Sequence, residues 1–305
     1  MNKLICLLPL TLALAACGSN DAPPPTANVP VKAPELDQPA HPTAPQTAEE
    51  AAASKLDRAL AGDWRSATNK ARDQYRHPRE TLQFFGIKPT DTLIEITPGA
   101  GWYTEVLAPY LKDSGHFIAA VAADASSDYA KSSNESYRAL LQEDAAAFGD
   151  VKVVEFDPKA PVLGAPDSAD VVLTFRNVHN WAMGGTAPVM FKAFFAVLKP
   201  GGTLGVVDHR AAADASFDKV KDSGYLPQDY VIKLATDAGF KLEAQSEINA
   251  NPADTKDHPK GVWTLPPTFA MGDENHEKYQ AIGESDRMTL KFVKPSGDGI
   301  FKAKD

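Results

Sequence analysis

A regular alternation of short apolar runs and amphipathic stretches constrains this chain more than any other feature. The apolar runs predict strands over residues 92–96, 117–122, 151–156, 170–175, 203–208, 240–246 and 288–293. The stretches between them have mostly helical spacing, and parallel strands need such crossover segments. The sequence therefore predicts an α/β fold, a Rossmann-like, seven-stranded, mostly parallel sheet with helices on both faces.

Composition excludes several classes of protein. With 43% hydrophobic and 23% charged residues, the chain has enough apolar side chains for a globular core. Its net charge of −9 argues against binding to nucleic acid, which depends on clustered cations. The two cysteines, Cys6 and Cys17, lie near the start, so the body has no thiolate metal site. The histidines show no metal-ligand spacing either, and we predict no metal.

The first residues have the pattern of a targeting segment. Lys3 precedes an apolar run over 4–16 that is short for a membrane span and contains Pro9. Leu14-Ala15-Ala16-Cys17 resembles a bacterial lipobox, in which Cys17 is lipidated and becomes the mature N-terminus. The alternative is an ordinary signal peptide with a chance cysteine. Lipidated Cys17 followed by Gly18 predicts a lipoprotein of the outer membrane that faces the periplasm and contacts the membrane by its lipid anchor only.

Composition also divides the chain. Residues 1–16 form the predicted signal peptide, and 17–46 a proline-rich tether that follows the lipidated cysteine. A capping box at Thr47 opens a set of N-terminal helices over 47–91, which we expect to pack on the core. The main domain is predicted over 92–295, with a C-terminal tail over 296–305.

A glycine loop follows the first predicted strand. Pro98-Gly99-Ala100-Gly101 lets the backbone approach a ligand closely, and Glu95 on the strand is a charge that needs a partner if buried. A Gly-x-Gly pair is weak evidence by itself, because a tight turn also accounts for it. We interpret it as a cofactor loop. A nicotinamide cofactor is the second choice, because Thr104 stands where the dinucleotide-binding fingerprint has its third glycine.

Several motifs together carry a resemblance to a known family. They are Arg76-His77-Pro78, Phe84-Phe85-Gly86, Pro98 to Glu105, Arg176-Asn177-Val178-His179-Asn180-Trp181, Leu198-Lys199-Pro200-Gly201-Gly202, Asp208-His209-Arg210-Ala211 and Asp286-Arg287. In order and spacing the chain resembles a class I S-adenosylmethionine-dependent methyltransferase, and more narrowly a family of predicted methyltransferases marked by Pro-Gly-x-Gly-Trp-Tyr-Thr-Glu. The resemblance implies an antiparallel last strand and bound S-adenosylmethionine.

The resemblance also implies roles for single residues. Glu95, Gly99 and Gly101 would contact the methionine part of the donor, next to Pro98, and Asn177 would lie at the reacting end. Gly101→Val is then expected to abolish donor binding and to leave the fold intact.

The neighbouring aromatic rings have two interpretations. Trp102 and Tyr103 follow the glycine loop, where their rings would face the sulfonium of the donor. Plain core residues are the alternative, because aromatic side chains beside such a loop are often buried.

The chain departs from the family at the ribose-binding position. The end of the second strand carries Val121 instead of an acid, so Asp124 substitutes only if the loop folds back. Asp157, after the third strand, lies where an acid often contacts adenine, although an Asp-Pro turn explains it equally well.

Two histidines are candidates for catalysis. His179 follows the fourth strand and His209 ends the fifth. An imidazole group titrates near working pH and can take up the proton that the methyl acceptor loses. Structural roles are the alternatives: His179 bonded to backbone, and His209 in a salt-linked cluster with Asp208 and Arg210. The sequence thus predicts methyl transfer to a small-molecule acceptor, with a non-catalytic binding lipoprotein of the same fold as the alternative and a nicotinamide oxidoreductase as a third.

Overall fold

The computed structural model describes residues 47–296. The predictions for the signal peptide, for Cys17 and for the tether concern residues outside this range, as do those for the tail beyond residue 296. Among the described helices, none combines the length and the apolar character that crossing a membrane requires.

Twelve α-helices and seven strands make up the described part of the chain. The helices are α1 Ala48–Ala61, α2 Ala67–Lys70, α3 Asp73–Arg76, α4 Pro78–Phe85, α5 Thr104–Leu111, α6 Asp128–Glu143, α7 Ala145–Phe148, α8 Val178–Met183, α9 Ala187–Val197, α10 Phe217–Val220, α11 Gln228–Asp237 and α12 His276–Ile282. The strands are β1 Thr92–Ile96, β2 His116–Ala122, β3 Lys152–Phe156, β4 Ala169–Phe175, β5 Leu198–His209, β6 Lys241–Ser246 and β7 Arg287–Val293. Short 3₁₀ turns cover Asp124–Ser126, Lys221–Ser223 and Gly261–Thr264.

All seven strands form one sheet in the order β3-β2-β1-β4-β5-β7-β6. Neighbours pair in parallel except that β7 runs antiparallel to both β5 and β6. The predicted fold class is therefore confirmed, including the antiparallel last strand.

Alternation along β1 divides the apolar core between the two faces of the sheet. Leu93 packs into one buried cluster, with Phe85 and Leu107 from helices α4 and α5. Ile94 and Ile96 pack into the other cluster with side chains from α9 and α11. Because successive strand residues point to opposite faces, a strand covered by helices on both sides is apolar at nearly every position.

Helix boundaries differ from the sequence prediction in one informative place. The pattern predicts one helix over 135–148, but α6 begins at Asp128, where the Ser127 side chain accepts a hydrogen bond from the Ala130 amide. The helix then breaks at Asp144, whose carboxylate caps α7 through the Ala147 amide. Side-chain capping, which competes with helix continuation, explains both boundaries.

The position of β1 decides where a ligand can bind. The chain continues from β1 to β2, which pairs with it on one side, while β4 pairs with β1 on the other side. In open α/β sheets such a switch point opens a crevice beyond the carboxyl ends of the strands. The glycine loop lies at this place.

Candidate active site

A cavity of about 550 Å³ lies at the carboxyl end of β1. Its walls come from the glycine loop, the ends of β2 and β3, and one side of α6. The lining residues are Thr97, Pro98, Gly99, Val121, Ala122, Ala125, Ser126, Ser127, Tyr129, Ala130, Ser133, Asn134, Tyr137, Asp157, Pro158, Lys159 and Thr186. Of the predicted cofactor-binding residues, it contains Pro98, Gly99 and Asp157. The volume is typical of a cofactor-sized site.

The glycine loop begins with an unusual backbone conformation. Thr97 has φ 54°, in the left-handed region that β-branched residues avoid. The Asn177 side chain holds this bend, because its Nδ2 donates to the carbonyl oxygens of Ile96 and Thr97 at 3.2 and 3.1 Å. Asn177 is buried and does not line the cavity. The structure thus gives it a positioning role, and backbone strain at a cavity wall is typical of functional sites.

The two loop glycines have different surroundings. Gly99 has φ 60°, and a Cβ atom there would meet nothing within 4 Å. Gly101 has φ 78°, and its Cβ would lie 2.2 Å from Leu140 Cδ2 on α6. Gly99 therefore opens toward the cavity, whereas Gly101 lets α6 pack against the loop. Whether Gly101→Val leaves the fold intact stays a prediction, and the added side chain would have to displace Leu140.

The aromatic residues after the loop lie outside the cavity lining. The Trp102 indole is buried, donates to the Asn69 carbonyl at 3.0 Å, and carries the Arg76 guanidinium 4.6 Å above its ring. The Tyr103 ring stacks on Phe175 with ring centroids 3.6 Å apart. Of the two predictions for these rings, the structure favours the core interpretation.

Glu95 is buried beneath the loop and 3% exposed. Burial raises the pKa of its carboxyl group to about 8. Its Oε2 atom has no hydrogen-bond partner, although buried polar atoms are normally satisfied. The carboxyl group lies behind the cavity wall and does not line the cavity.

The acids near the ends of β2 and β3 divide into two kinds. The Asp124 carboxylate faces α6, where it accepts from Asn134 Nδ2 at 2.7 Å and pairs with Arg138 at 3.0 Å. Asp124 itself does not line the cavity, although Ala125, Ser126 and Ser127 from the same segment do. Asp157 does line it, while its Oδ1 accepts from the Lys159 amide at 2.9 Å. Asp157 is thus both a turn residue and a cavity residue.

The two predicted catalytic histidines meet at Asp208. His179 Nδ1 lies 2.9 Å from Asp208 Oδ1, and the backbone amides of His179 and His209 also donate to this carboxylate. Burial would raise the pKa of Asp208, but the contact with His179 brings it below its ordinary value. His209 Nδ1 bonds to Ser285 Oγ at 2.5 Å, and burial together with His179 lowers the pKa of His209 well below its usual range.

The structural alternative for His209 is a salt-linked site with Asp208 and Arg210, and in the structure the His209 amide does donate to Asp208 at 2.7 Å. Arg210 pairs with Glu247 and Asp286 instead. Trp263, from the segment between β6 and β7, lies over His179 with ring centroids 6.2 Å apart.

His179, Asp208 and His209 also form a group of possible metal ligands, with their ligand atoms within 4.8 Å of one another. Sequence spacing missed this group because His179 lies on α8, whereas Asp208 and His209 end β5. Both Asp208 oxygens already accept hydrogen bonds, and the neutral form of His209 is favoured by burial. Our prediction that there is no metal site stays a prediction.

The sequence analysis missed several cavity residues on α6 and at its start. The most notable is Tyr129, whose side chain is 83% exposed at the cavity wall. Ser133, Asn134 and Tyr137 follow on the same side of α6. Their spacing at positions 129, 133 and 137 of a helix beginning at a serine cap was the available signal.

Comparisons with known proteins support the fold alone. The crystal structure of a SAM dependent methyltransferase from Aquifex aeolicus is similar with a TM-score of 0.50 at 14% identity, over 79% of this chain and 98% of that chain. The crystal structure of the cyclase SpnF is similar with a TM-score of 0.50 at 17% identity, over 84% of this chain and 98% of that chain. No protein-family model and no curated protein matches the chain.

Substitution of the two loop glycines should separate packing from ligand access. Both have positive φ, so Gly99→Val and Gly101→Val share the backbone strain, but only the second collides with Leu140. We expect Gly101→Val to cost an additional ~1–3 kcal/mol, the usual cost of overpacking. Thermal unfolding of both variants measures this difference, and equal melting temperatures would contradict the packing role.

The raised pKa of Glu95 predicts a pH dependence of stability. Between its ordinary value of 4.5 and about 8, the folded state binds this proton more tightly than the unfolded state, so stability falls as the pH rises. Glu95→Gln should lack this contribution and gain on the wild type as pH increases. Urea unfolding of both proteins at about pH 5 and about pH 8, roughly the two ends of this interval, tests the prediction. An equal change in the free energy of unfolding for the wild type and Glu95→Gln would refute it.

Proposed function

We propose that this protein transfers a methyl group from S-adenosylmethionine to a small-molecule acceptor. The observation that carries the proposal is the cavity beyond β1, where Gly99 leaves open space at the switch point of the sheet. Ligands of open α/β sheets bind at this place. The shared fold alone is insufficient, because folds host many unrelated activities.

The cavity residues fit the parts of this donor. The exposed ring of Tyr129 offers a stacking surface for adenine, and Asn134 and Asp157 offer polar groups at the ends of β2 and β3. In this proposal Asn134 and Asp157 supply the polar contacts that an acid at the position of Val121 makes in the family. The open backbone at Pro98 and Gly99 accepts the methionine part, and the unpaired Oε2 of Glu95 lies beneath the same loop.

The donor supplies an electrophilic methyl group on a sulfonium, and the chain must align the acceptor and take up its proton. His179 is our candidate for the proton acceptor. Asp208 fixes its ring through Nδ1, which leaves Nε2 as the free nitrogen of the dyad. Trp263, on the segment between β6 and β7, meets this ring edge-on.

The cellular setting of the proposal rests on the sequence. We propose an envelope lipoprotein anchored through Cys17, because an apolar run and a small-residue cleavage position directly precede this cysteine. A membrane contact by lipid anchor alone follows, because the body carries an excess of acidic residues.

Calorimetric titration of the purified full-length protein tests the function. We expect binding of S-adenosylmethionine and of its demethylated product, S-adenosylhomocysteine. No heat with either ligand would overturn the proposal, and heat with NAD alone would favour the oxidoreductase. Transfer of label from methyl-labelled donor to a small molecule of an envelope extract separates catalysis from binding alone.

Stacking on Tyr129 predicts the effect of two substitutions. Tyr129→Ala should weaken binding of S-adenosylhomocysteine about tenfold, because base–aromatic stacking contributes ~1–3 kcal/mol. Tyr129→Phe keeps the ring and should bind like the wild type. Since the side chain is 83% exposed, neither change should affect the melting temperature. Equal affinity of the alanine variant would exclude stacking at this position.

A further inference from the structure

Three arginines from distant parts of the sequence meet at the carboxyl edge of the sheet. Arg76 ends α3, Arg176 follows β4 and Arg287 begins β7. Together they line a small cavity of about 10 Å³, closed by Tyr103, Phe175, Val207 and Asn249. The cavity at the carboxyl end of β1, called the donor cavity from here on, shares none of these residues. The function proposed above leaves this second site unexplained.

Positive charge exceeds negative charge around this small cavity. Glu284 is the carboxylate hydrogen-bonded to these arginines, accepting from Arg76 Nε at 3.3 Å and from Arg287 Nη1 at 3.0 Å, while Glu95 and Asp208 lie near enough to act on Arg76 and Arg176 electrostatically. Arg72 Nε donates to the other oxygen of Glu284 at 2.7 Å. One carboxylate therefore balances three guanidinium groups before Arg176 is counted.

Several nitrogen atoms of the cluster lack acceptors. Arg76 Nη2 and Arg287 Nε are buried without a hydrogen-bond partner, on side chains that are 3% and 4% exposed. Arg176 lines the same cavity and is half-buried. Buried donors are normally satisfied, and guanidinium groups remain charged, so the cluster lacks an acceptor of negative charge.

Electrostatics agrees with this interpretation. Burial and the neighbouring Arg176 lower the pKa of Arg76, and burial lowers that of Arg176 to about 10. Burial would raise the pKa of Glu284, but Arg76 and Arg287 hold it at about 2. Such mutual repulsion is relieved when an anion joins the cluster.

We propose that Arg76, Arg176 and Arg287 bind the carboxylate of a small organic acid, which, if the proposed function holds, is the methyl acceptor. Planar guanidinium groups match a carboxylate in shape and donate to both of its oxygens. The cavity admits about one water-sized group, so one oxygen of the carboxylate would occupy it while the remaining atoms of the acid lie outside it.

The place of this site suits an acceptor. Arg176 directly precedes Asn177, whose amide holds the Ile96–Thr97 bend at the wall of the donor cavity. Arg176 also has φ 60°, a conformation that non-glycine residues seldom adopt and that holds its side chain where the strand ends. The stacked rings of Tyr103 and Phe175 form an apolar side of the small cavity.

Formate, the smallest carboxylate, is the probe for this site. Thermal unfolding of the full-length protein is followed in rising sodium formate, with sodium chloride at equal concentration and with neutral formamide. We expect formate alone to raise the melting temperature, because a ligand that binds the folded state stabilises it. Equal shifts with formate and chloride, or no shift with formate, would overturn the carboxylate site.

Matched variants assign the effect to the cluster. Arg176→Gln should weaken the apparent formate affinity about tenfold, as expected for loss of a charged hydrogen-bond donor. Arg79→Gln, which removes an exposed arginine paired with Asp57, should keep it. If Arg176→Gln fails to fold, the contrast between formate and formamide in the wild type decides alone.

A parallel titration with S-adenosylhomocysteine separates the two proposals. Binding of this ligand by both the wild type and Arg176→Gln, with loss of the formate effect in the variant only, supports an acceptor site distinct from the donor site. A protein that binds S-adenosylhomocysteine but not formate refutes the carboxylate site and leaves the methyl-transfer proposal standing. Binding of formate without the donor product refutes methyl transfer and leaves an anion site.

Discussion

The arrangement around the candidate site depends on the ion pairs that the buried Glu284 carboxylate makes. It lies just before β7 and binds Arg72, Arg76 and Arg287, so it joins the N-terminal helices to the last strand. Removing one partner from a buried ion pair generally costs ~3–5 kcal/mol, because the remaining charge is left unpaired. Arg76 in turn lies over the Trp102 ring and links this cluster to the segment after the glycine loop.

This cluster and the donor cavity lie at the ends of neighbouring strands. The cavity opens between the glycine loop and α6, whereas the arginines gather beside Tyr103 and Phe175. Asn177 connects the two sites, because it follows Arg176 in sequence and donates to the carbonyl oxygens of the Ile96–Thr97 bend. A charged acceptor and a sulfonium donor would thus be held by one rigid edge of the sheet, which is how enzymes keep two reactants aligned.

Particular residues show how far sequence reasoning reached. The strand at 92–96 and the open glycine at Gly99 were predictable, because a buried apolar run and a glycine turn are local signals. The different role of Gly101 was not, since it depends on Leu140, which lies far along the chain on α6. The orientation of the Asp124 carboxylate also depends on α6, because its partners Asn134 and Arg138 lie on that helix.

The sequence by itself determined the order of strands and helices, the glycine bend and the charge excess of the chain, since periodicity and backbone freedom are properties of neighbouring residues. Only the tertiary structure decided that His179 and His209 share Asp208 and that three arginines share Glu284. Such groups combine side chains from different strands and helices. Their distances are fixed by packing of the whole sheet, which no local pattern encodes.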